Sequence, residues 1–414
     1  MTDVPAPAPA SLFAHRPFLF FLGSRLFSTL AFQGTGVAIG WLVYDQTHSA
    51  LNLGLIGLCQ FLPMVVLTFV VGHVADRFDR RRIGLVCQII EAITLMVISL
   101  GVWQGWLTLP FIFAAMVVLG GTAAFERPTM QALLPGIIEA KRLPGAVANA
   151  TSVMQTAFII GPSLAGLLYG FGPVVPFIAM TVMFVLAAIS IAGIPHLGFV
   201  PSREPVTLKS VFAGAAFVRS RPVILGTISL DLFAVLLGGA TALLPVFARD
   251  ILQAGPVGLG LLRTAPAIGA VVMSLLIARF PLTRSVGKTM LGAVAIFGAA
   301  TVIFAFSSNI ALSVVLLLIL GASDTVSVVV RSSLVQLLTP DDMRGRVNAI
   351  NSLFIGTSNQ LGEFESGVLA AAIGPVWAVA LGGLGTLAVV ALWGWKFFPA
   401  LRKVETFTDG HAGS

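Results

Sequence analysis

Apolar runs of about twenty residues or more alternate with short polar segments along the chain. A helix needs roughly 20 consecutive apolar residues to cross the hydrocarbon core of a bilayer. The pattern therefore predicts twelve membrane-spanning helices. The predicted ranges are Pro17–Tyr44, Leu51–Val74, Ile83–Gln104, Leu109–Leu134, Gly145–Gly170, Val174–Ile194, Val223–Ala248, Pro256–Phe280, Lys288–Phe306, Asn309–Leu338, Val347–Ile373 and Val376–Phe398.

The longest polar interval, His196 to Arg221, divides the chain near its midpoint. Its middle, Leu208 to Arg219, has the composition either of a short amphipathic helix on the cytoplasmic surface or of a plain linker. The expected organisation is a disordered cytoplasmic lead (1–16), a six-helix bundle (17–196), a cytoplasmic linker (197–221), a second six-helix bundle (222–398) and a cytoplasmic tail (399–414).

The two halves resemble each other at an offset of about 200 residues. Arg127 precedes Leu134 by seven positions, and Arg331 precedes Leu338 by the same interval. The pair Gly161 and Gly166 recurs as Gly362 and Gly367. This internal sequence similarity predicts two six-helix repeats of one membrane fold.

Composition supports a bilayer protein, because 57% of residues are hydrophobic, 10% are charged and the mean hydropathy is +0.99. The net charge of +7 is distributed unevenly. Of the 24 lysines and arginines, only Arg249 falls on one side of the predicted membrane, and the rest fall on the other side or within helices. This asymmetry predicts that both termini are cytoplasmic, and it leaves nucleic-acid binding without support. The basic residues placed within helices are Arg25, Arg127, Arg263 and Arg331.

The polar hinge between the second and third helices, 72–82, contains Gly72, Asp76, Arg77, Arg80 and Arg81. It resembles the Gly-x-x-x-Asp-Arg-x-Gly-Arg-Arg motif of the major facilitator superfamily, with Asp79 in place of the second glycine. The resemblance implies a twelve-helix transporter that works by alternating access. It also implies a gating charge relay, which we assign to Asp76, Arg77, Arg80, Glu126, Arg127 and Arg331.

Charged residues within the bilayer are costly, so each requires an explanation. Asp231 lies near the middle of the seventh helix and is the first candidate for a proton-coupling acid, because burial disfavours the charged form of a carboxylate. The alternative roles are a structural partner for a buried arginine and a capping group for a broken helix. Asp324, Ser327 and Arg331 share one face of the tenth helix, at spacings of three and four residues. Asp324 is the second proton-coupling candidate, and Ser327 is a candidate cavity residue.

A second polar stripe runs along the first helix at four-residue spacing. It consists of Arg25, Thr29 and Gln33. These residues are candidates for lining a substrate cavity. Arg25 could bind an anionic group of a substrate, or it could neutralise Asp324 or Glu91.

The fifth helix contains Gly161, Pro162 and Gly166, similar to the antiporter motif of the superfamily. Small side chains allow two helices to approach closely, and a Gly-Pro step favours a local bend. Alanine replaces the usual glycine at 148, 157 and 165. The similarity favours export over uptake.

The eleventh helix carries Glu363 and Glu365, two residues apart and therefore on nearly opposite faces. One of them is expected to meet a cavity or the eighth helix, where Arg263 could balance it. Together with the Arg127 and Asn149 regions, this helix resembles the branch of the superfamily that includes the enterobactin exporter and drug-efflux proteins.

The sequence contains no Walker loop, no metal-ligand spacing and no recognisable catalytic set, and Cys59 and Cys87 lie in apolar runs. We therefore expect no enzyme activity, no cofactor and no metal. The leading interpretation is a proton-coupled exporter of a small, partly apolar molecule such as a siderophore or drug, acting as a monomer in the bacterial inner membrane. Its expected partners are the substrate, protons and lipid. The alternatives are uptake or facilitated diffusion of a nutrient, and a membrane sensor or assembly protein without transport.

Overall fold

Every regular element that the structure describes is a helix. The computed structural model describes residues 12–195, 208–340 and 343–407, and a few helical side chains within these ranges, including that of Asp76, lie outside the description. Eleven of the described helices are long and apolar enough to cross a membrane. A further helix, Arg344–Ile373, has 30 residues and a more polar sequence. The predicted all-α membrane fold is confirmed.

The long helices follow the predicted order and are labelled α1 to α12, with a separate linker helix between α6 and α7. The bounds are α1 Arg16–Thr47, α2 Ala50–Arg77, α3 Arg80–Gln104, α4 Leu109–Ile137, α5 Leu143–Tyr169, α6 Val175–Ala192, the linker helix Leu208–Ser220, α7 Pro222–Ile251, α8 Gly255–Arg279, α9 Val286–Ala305, α10 Ile310–Leu338, α11 Arg344–Ile373 and α12 Pro375–Phe397.

Several helix ends have an identifiable local cause. The carboxylate of Asp79 accepts a hydrogen bond from the backbone N–H of Arg81 at 3.0 Å, which caps the start of α3. The side-chain oxygen of Asn309 accepts bonds from two backbone N–H groups in the first turn of α10. Gly105 ends α3 at φ +75°, a left-handed conformation that glycine adopts without strain.

The seventh span is interrupted, although the sequence predicted one continuous helix. Regular α-helix runs from Pro222 to Leu237, and after Gly238 and Gly239 the chain continues as a 3₁₀ turn and a π-helical turn to Ile251. Glycine is a poor helix former. A side chain at Gly239 would also meet the backbone oxygen of Gly362, so the break coincides with a close approach of α11.

The chain divides into two compact units. The first comprises Met1–Gly36, Leu62–Gly161 and Gly172–Pro205, and the second comprises Val37–Phe61, Pro162–Phe171 and Val206–Ser414. Helices α1, α2 and α5 therefore contribute to both units. The division into bundles 17–196 and 222–398 stays a prediction.

The same helix pairings occur in corresponding places of the two repeats. In the first unit α3 packs against α4 and α6. In the second unit α9 packs against α10 and α12, which occupy the equivalent positions six helices later. This pattern agrees with the predicted six-helix repeat.

The linker interval contains a helix, so the helical alternative for Leu208–Arg219 was correct. Val218 from this helix is buried in a cluster with Ile224 of α7, Val335 of α10 and Val347 of α11. Gly214 approaches the backbone oxygen of Arg346 so closely that an added Cβ would lie 2.9 Å from it. The described part of the linker is thus docked on the second unit.

The described residues near both ends of the chain form regular turns or pack against helices, although the sequence predicted a disordered lead. In the lead, Leu12–Ala14 forms a 3₁₀ turn and α1 begins at Arg16, while 1–11 lie outside the described residues. In the tail, the backbone oxygens of Val404 and Glu405 accept hydrogen bonds from the first N–H groups of α9. Leu401 is fully buried beside them. The segment that follows α12 therefore packs against α9 as far as 407.

Candidate functional site

An ion pair lies within the second unit. Asp231 on α7 and Arg331 on α10 are hydrogen-bonded, and their side chains are only 5% and 3% exposed. A buried charge is tolerated when it is paired, and removal of one partner leaves the other uncompensated. Arg331 is therefore the structural partner of Asp231, which is one of the alternative roles that the sequence allowed for this aspartate.

A second acid lies beside this pair. Asp324, Ser327 and Asp231 line a small cavity with about 10 Å³ of free volume, enough for about one water molecule. The predicted polar face of α10 therefore lies against α7. Among the described residues, no hydrogen bond or ion pair reaches the Asp324 carboxylate, although Arg331 and Asp231 act on it electrostatically. The buried hydroxyl of Ser327 has no partner within the described chain.

A larger cavity of about 280 Å³ adjoins the same aspartate. Asp324 lines it together with Phe297, Thr241, Asn359 and Glu363. The volume is close to the lower end of the range for small-molecule sites, and the lining combines apolar surface with a few polar groups, as ligand pockets do. This cavity is the candidate substrate site in the second unit.

The two acids of α11 have different surroundings. Glu363 lines the larger cavity, and its side chain lies against Gly57 of α2. Arg263 of α8 interacts with it electrostatically, as the sequence allowed for one member of the pair. Glu365 is half-buried, and its carboxylate lies 3.5 Å from the hydroxyl of Ser366. Only Glu363 is therefore placed to contact a ligand in this cavity.

The first unit contains a separate buried polar cluster. The side-chain amide of Gln88 donates to Glu126 at 2.8 Å and to the hydroxyl of Ser24 at 2.9 Å. Arg25 acts on Glu126 electrostatically and lies 2.6 Å from the sulfur of Met154. Glu91 is fully buried one turn beyond Gln88 on α3. The acid beside Arg25 is thus Glu126.

The remaining residues of the α1 stripe are less enclosed. Thr29 and Gln33 are half-buried. Arg127, which follows Glu126, lies over the ring of Phe32 at 5.0 Å from its centroid. A substrate role for Arg25, Thr29 and Gln33 stays a prediction.

The described contacts differ from the predicted gating relay. Arg80 donates to the backbone oxygen of Ala132 at 2.9 Å, whereas Glu126 is bonded to Gln88. Ala132 is six residues beyond Glu126, roughly 9 Å along α4. Arg77 is exposed, and the side chain of Asp76 lies outside the described ones. An Arg80–Glu126 pair is therefore not among the described contacts, and the relay stays a prediction for another conformation.

The small residues of α5 mark two close helix approaches. A Cβ added at Gly161 would lie 3.0 Å from the backbone oxygen of Leu30 in α1. One added at Gly166 would lie 2.8 Å from the Cα of Gly260 in α8. The predicted close packing is confirmed at both positions, and the helix continues through Pro162.

The sequence reasoning missed a polar cluster at the C-terminal ends of α1 and α7, within the second unit. Arg249 forms an ion pair with Asp45, with 2.5 Å between the nitrogen and oxygen atoms, and the hydroxyl of Tyr44 donates a hydrogen bond to Asp250. The sequence does set Arg249 apart, because it is the single basic residue on its side of the predicted membrane and is followed by Asp250. Helix assignment alone could not show that these ends meet.

Buried charged side chains that line cavities within a bundle of membrane-spanning helices are typical of transporters. The chain belongs to the transmembrane secretion effector family of the major facilitator superfamily, MFS_3, whose sequence pattern matches residues 8–409. The predicted family is confirmed.

Characterised relatives are similar over nearly the full length. The multidrug efflux pump Tap of Mycolicibacterium fortuitum is 27% identical, with 94% of this chain and 97% of the relative aligned. The enterobactin exporter EntS of Escherichia coli is 26% identical over 91% of each chain. Among solved structures, a bacterial homologue of the human lysosomal transporter Spinster, in an inward-facing and unoccupied conformation, has a TM-score of 0.70 at 15% identity and covers 94% of this chain and 97% of its own. The likeness to the solved structure concerns the fold alone.

Proposed function

We propose that this transporter is a proton-coupled exporter of a small, partly apolar molecule, in the class of siderophores and lipophilic drugs. The observation that carries the proposal is the surplus acid in the second unit. Arg331 is bonded to Asp231, which leaves Asp324 in the same buried cluster without a bonded cation among the described residues. A carboxylate without a bonded cation between membrane-spanning helices is costly as an anion, so we assign the binding and release of the proton to Asp324.

Coupling requires that proton and substrate favour different states. Asp324 lines both the cavity beside the ion pair and the larger cavity that also contains Glu363. A proton on Asp324 removes a negative charge from the wall of the candidate substrate site. Substrate and proton therefore compete at one place, which is the simplest route to exchange of one for the other.

Export is favoured over uptake by the relatives. The pump and the exporter that align over nearly the full chain both move compounds outward, as their names state. The closely packed glycines of α5 are consistent with the antiporter-type motif. With the basic segments on the cytoplasmic side, the chain lies in the bacterial inner membrane with both termini inside.

The polar cluster at the ends of α1 and α7 would then form an outer gate. Arg249–Asp45 and Tyr44–Asp250 join the two helices at the periplasmic ends assigned by this orientation. On that side, Ser163 of α5 and Thr264 of α8 are hydrogen-bonded at 2.6 Å. Release of substrate outward would require these contacts to separate.

The test is collapse of a pH gradient in inside-out membrane vesicles containing the full-length protein. A catecholate siderophore and a panel of lipophilic drugs are added outside the vesicles, to the wild type, to Asp324→Asn and to Glu139→Gln. Glu139 is an exposed acid beyond the end of α4 and serves as the control. We expect collapse in the wild type and in Glu139→Gln, and loss of collapse in Asp324→Asn.

Other outcomes distinguish the remaining possibilities. If collapse of the pH gradient persists in Asp324→Asn and is lost in Asp231→Asn, Asp231 is the proton-coupling residue. Collapse only when the compound is loaded inside the vesicles would indicate uptake by symport. No collapse with any compound would refute proton-coupled export of these classes.

A further inference from the structure

An apolar groove runs along the surface of the first unit between α3 and α6. It has a volume of about 380 Å³ and is lined by Leu85, Ile89 and Met96 of α3 and by Val185, Ala188 and Ala192 of α6. The hydroxyl of Thr181, which also lies in the lining, is hydrogen-bonded to the backbone oxygen of Phe177 in its own helix. The groove therefore presents hydrocarbon to the surrounding bilayer.

The same face of α3 becomes basic at one end. Positions four residues apart lie on one face of a helix, so Arg81 continues the row formed by Leu85 and Ile89. Arg82 is seven residues, about two turns, before Ile89, so it lies on the same side of the helix as Ile89 and Ile93. The groove thus passes from an apolar surface to two guanidinium groups within about one helical turn.

Contacts with α6 hold the first of these arginines at the groove. The guanidinium of Arg81 donates to the backbone oxygens of Ile191 at 3.2 Å and Ala192 at 2.6 Å. Ala192 itself lines the groove. Arg82 projects into solvent with 80% of its side chain exposed, and its nearest acid, Asp79, lies 4.0 Å away. Since Asp79 also caps α3, Arg82 retains most of its capacity to bind another anion.

We propose that this groove is a binding site for an anionic phospholipid. One acyl chain lies between α3 and α6, and the phosphate lies against Arg81 and Arg82. In the orientation proposed above, the basic end is in the cytoplasmic leaflet. Basic pockets between membrane helices on that side bind anionic headgroups. The basic end selects this lipid over a zwitterionic one, and the apolar groove selects a lipid over a free phosphate.

Native mass spectrometry of the purified full-length protein tests the site directly. The protein is exchanged into detergent with equal amounts of phosphatidylglycerol and phosphatidylcholine, and the retained lipids are counted. Two variants address the two parts of the site: Arg82→Gln removes the exposed charge, and Val185→Trp fills the groove from a lipid-facing position that is 40% exposed.

Each variant has a matched control. Arg279→Gln removes an exposed arginine at the end of α8. Val182→Trp adds the same ring to α6 at a position that is 50% exposed and lies outside the groove lining. Glycerol 3-phosphate, offered at the same concentration, tests whether the phosphate alone is sufficient.

We expect preferential retention of phosphatidylglycerol by the wild type and by both controls. Retention should fall about five-fold in Arg82→Gln, the size expected for one basic side chain near an anionic headgroup. It should fall at least as far in Val185→Trp, and glycerol 3-phosphate should not bind. Equal retention of the two lipids by the wild type, or equal losses in a variant and its control, would overturn the proposal.

Discussion

Asp231 accepts a hydrogen bond from Arg331, 100 residues later in the chain, and both side chains are almost completely buried. The bond joins α7 to α10 in the part of the protein that contains both candidate cavities. Its two members therefore have a structural role, which thermal unfolding can measure independently of transport.

Replacement of either member of this pair should destabilise the protein. Asp231→Asn leaves the buried Arg331 guanidinium without its hydrogen-bonded carboxylate, and loss of one partner from a buried ion pair costs about 3–5 kcal/mol. The measurement is thermal unfolding of the purified protein in detergent. The double variant Asp231→Asn/Arg331→Gln should be more stable than the sum of the single effects predicts, and strict additivity would show that the pair does not interact.

Asp324→Asn should abolish proton coupling without destabilising the protein. Because no bonded cation depends on this carboxylate among the described residues, its neutralisation should leave the unfolding temperature unchanged or raise it. Substrate-dependent proton movement should nevertheless be lost. A large fall in unfolding temperature would indicate that Asp324 is a structural residue and does not carry the coupled proton.

The main features of the fold could be predicted from the sequence because each span has its own apolar run. Helix order and the close packing at Gly161 and Gly166 followed from local composition, which allowed the linker helix as one of two alternatives. The interruption of α7 after Leu237 was missed, since glycine within a membrane helix is tolerated wherever a neighbouring helix supplies contacts.

The site was predictable only in part. Periodicity placed Asp324, Ser327 and Arg331 on one face of α10, but it could not show which residue of another helix meets that face. The pairing of Arg331 with Asp231, and of Glu126 with Gln88, depends on how helices pack together. The docking of Leu401 and Val404 on α9 likewise depends on contacts between distant segments.

Gly161→Ala should weaken the contact between α5 and α1. The added methyl group would lie 2.9 Å from the Cβ of Gln33 and 3.0 Å from the backbone oxygen of Leu30, so the helices must separate. Overpacking of this kind costs about 1–3 kcal/mol. Gly36→Ala is the control, because nothing lies within 4 Å of its added Cβ, and it should be neutral or slightly stabilising. Equal unfolding temperatures for both variants would contradict the close approach.

The Asp45–Arg249 contact should control opening at the ends of α1 and α7 more than it controls folding. The two side chains are 50% and 27% exposed, and a partly exposed ion pair contributes only about 0–1 kcal/mol. Arg249→Gln should therefore leave the unfolding temperature nearly unchanged. If the pair holds the proposed outer gate closed, the variant should open that side more often.

Cysteine cross-linking measures this separation directly. In the double variant Asp45→Cys/Arg249→Cys, a reducible bifunctional thiol reagent about as long as the lost arginine side chain should join α1 to α7 and stop transport, and reduction should restore it. Asp45→Cys alone is the control for modification of a single thiol, and the parent protein controls for Cys59 and Cys87. Because the outer gate must open once in every transport cycle, full transport by the cross-linked protein would mean that these helix ends remain together throughout the cycle and that the gate lies elsewhere.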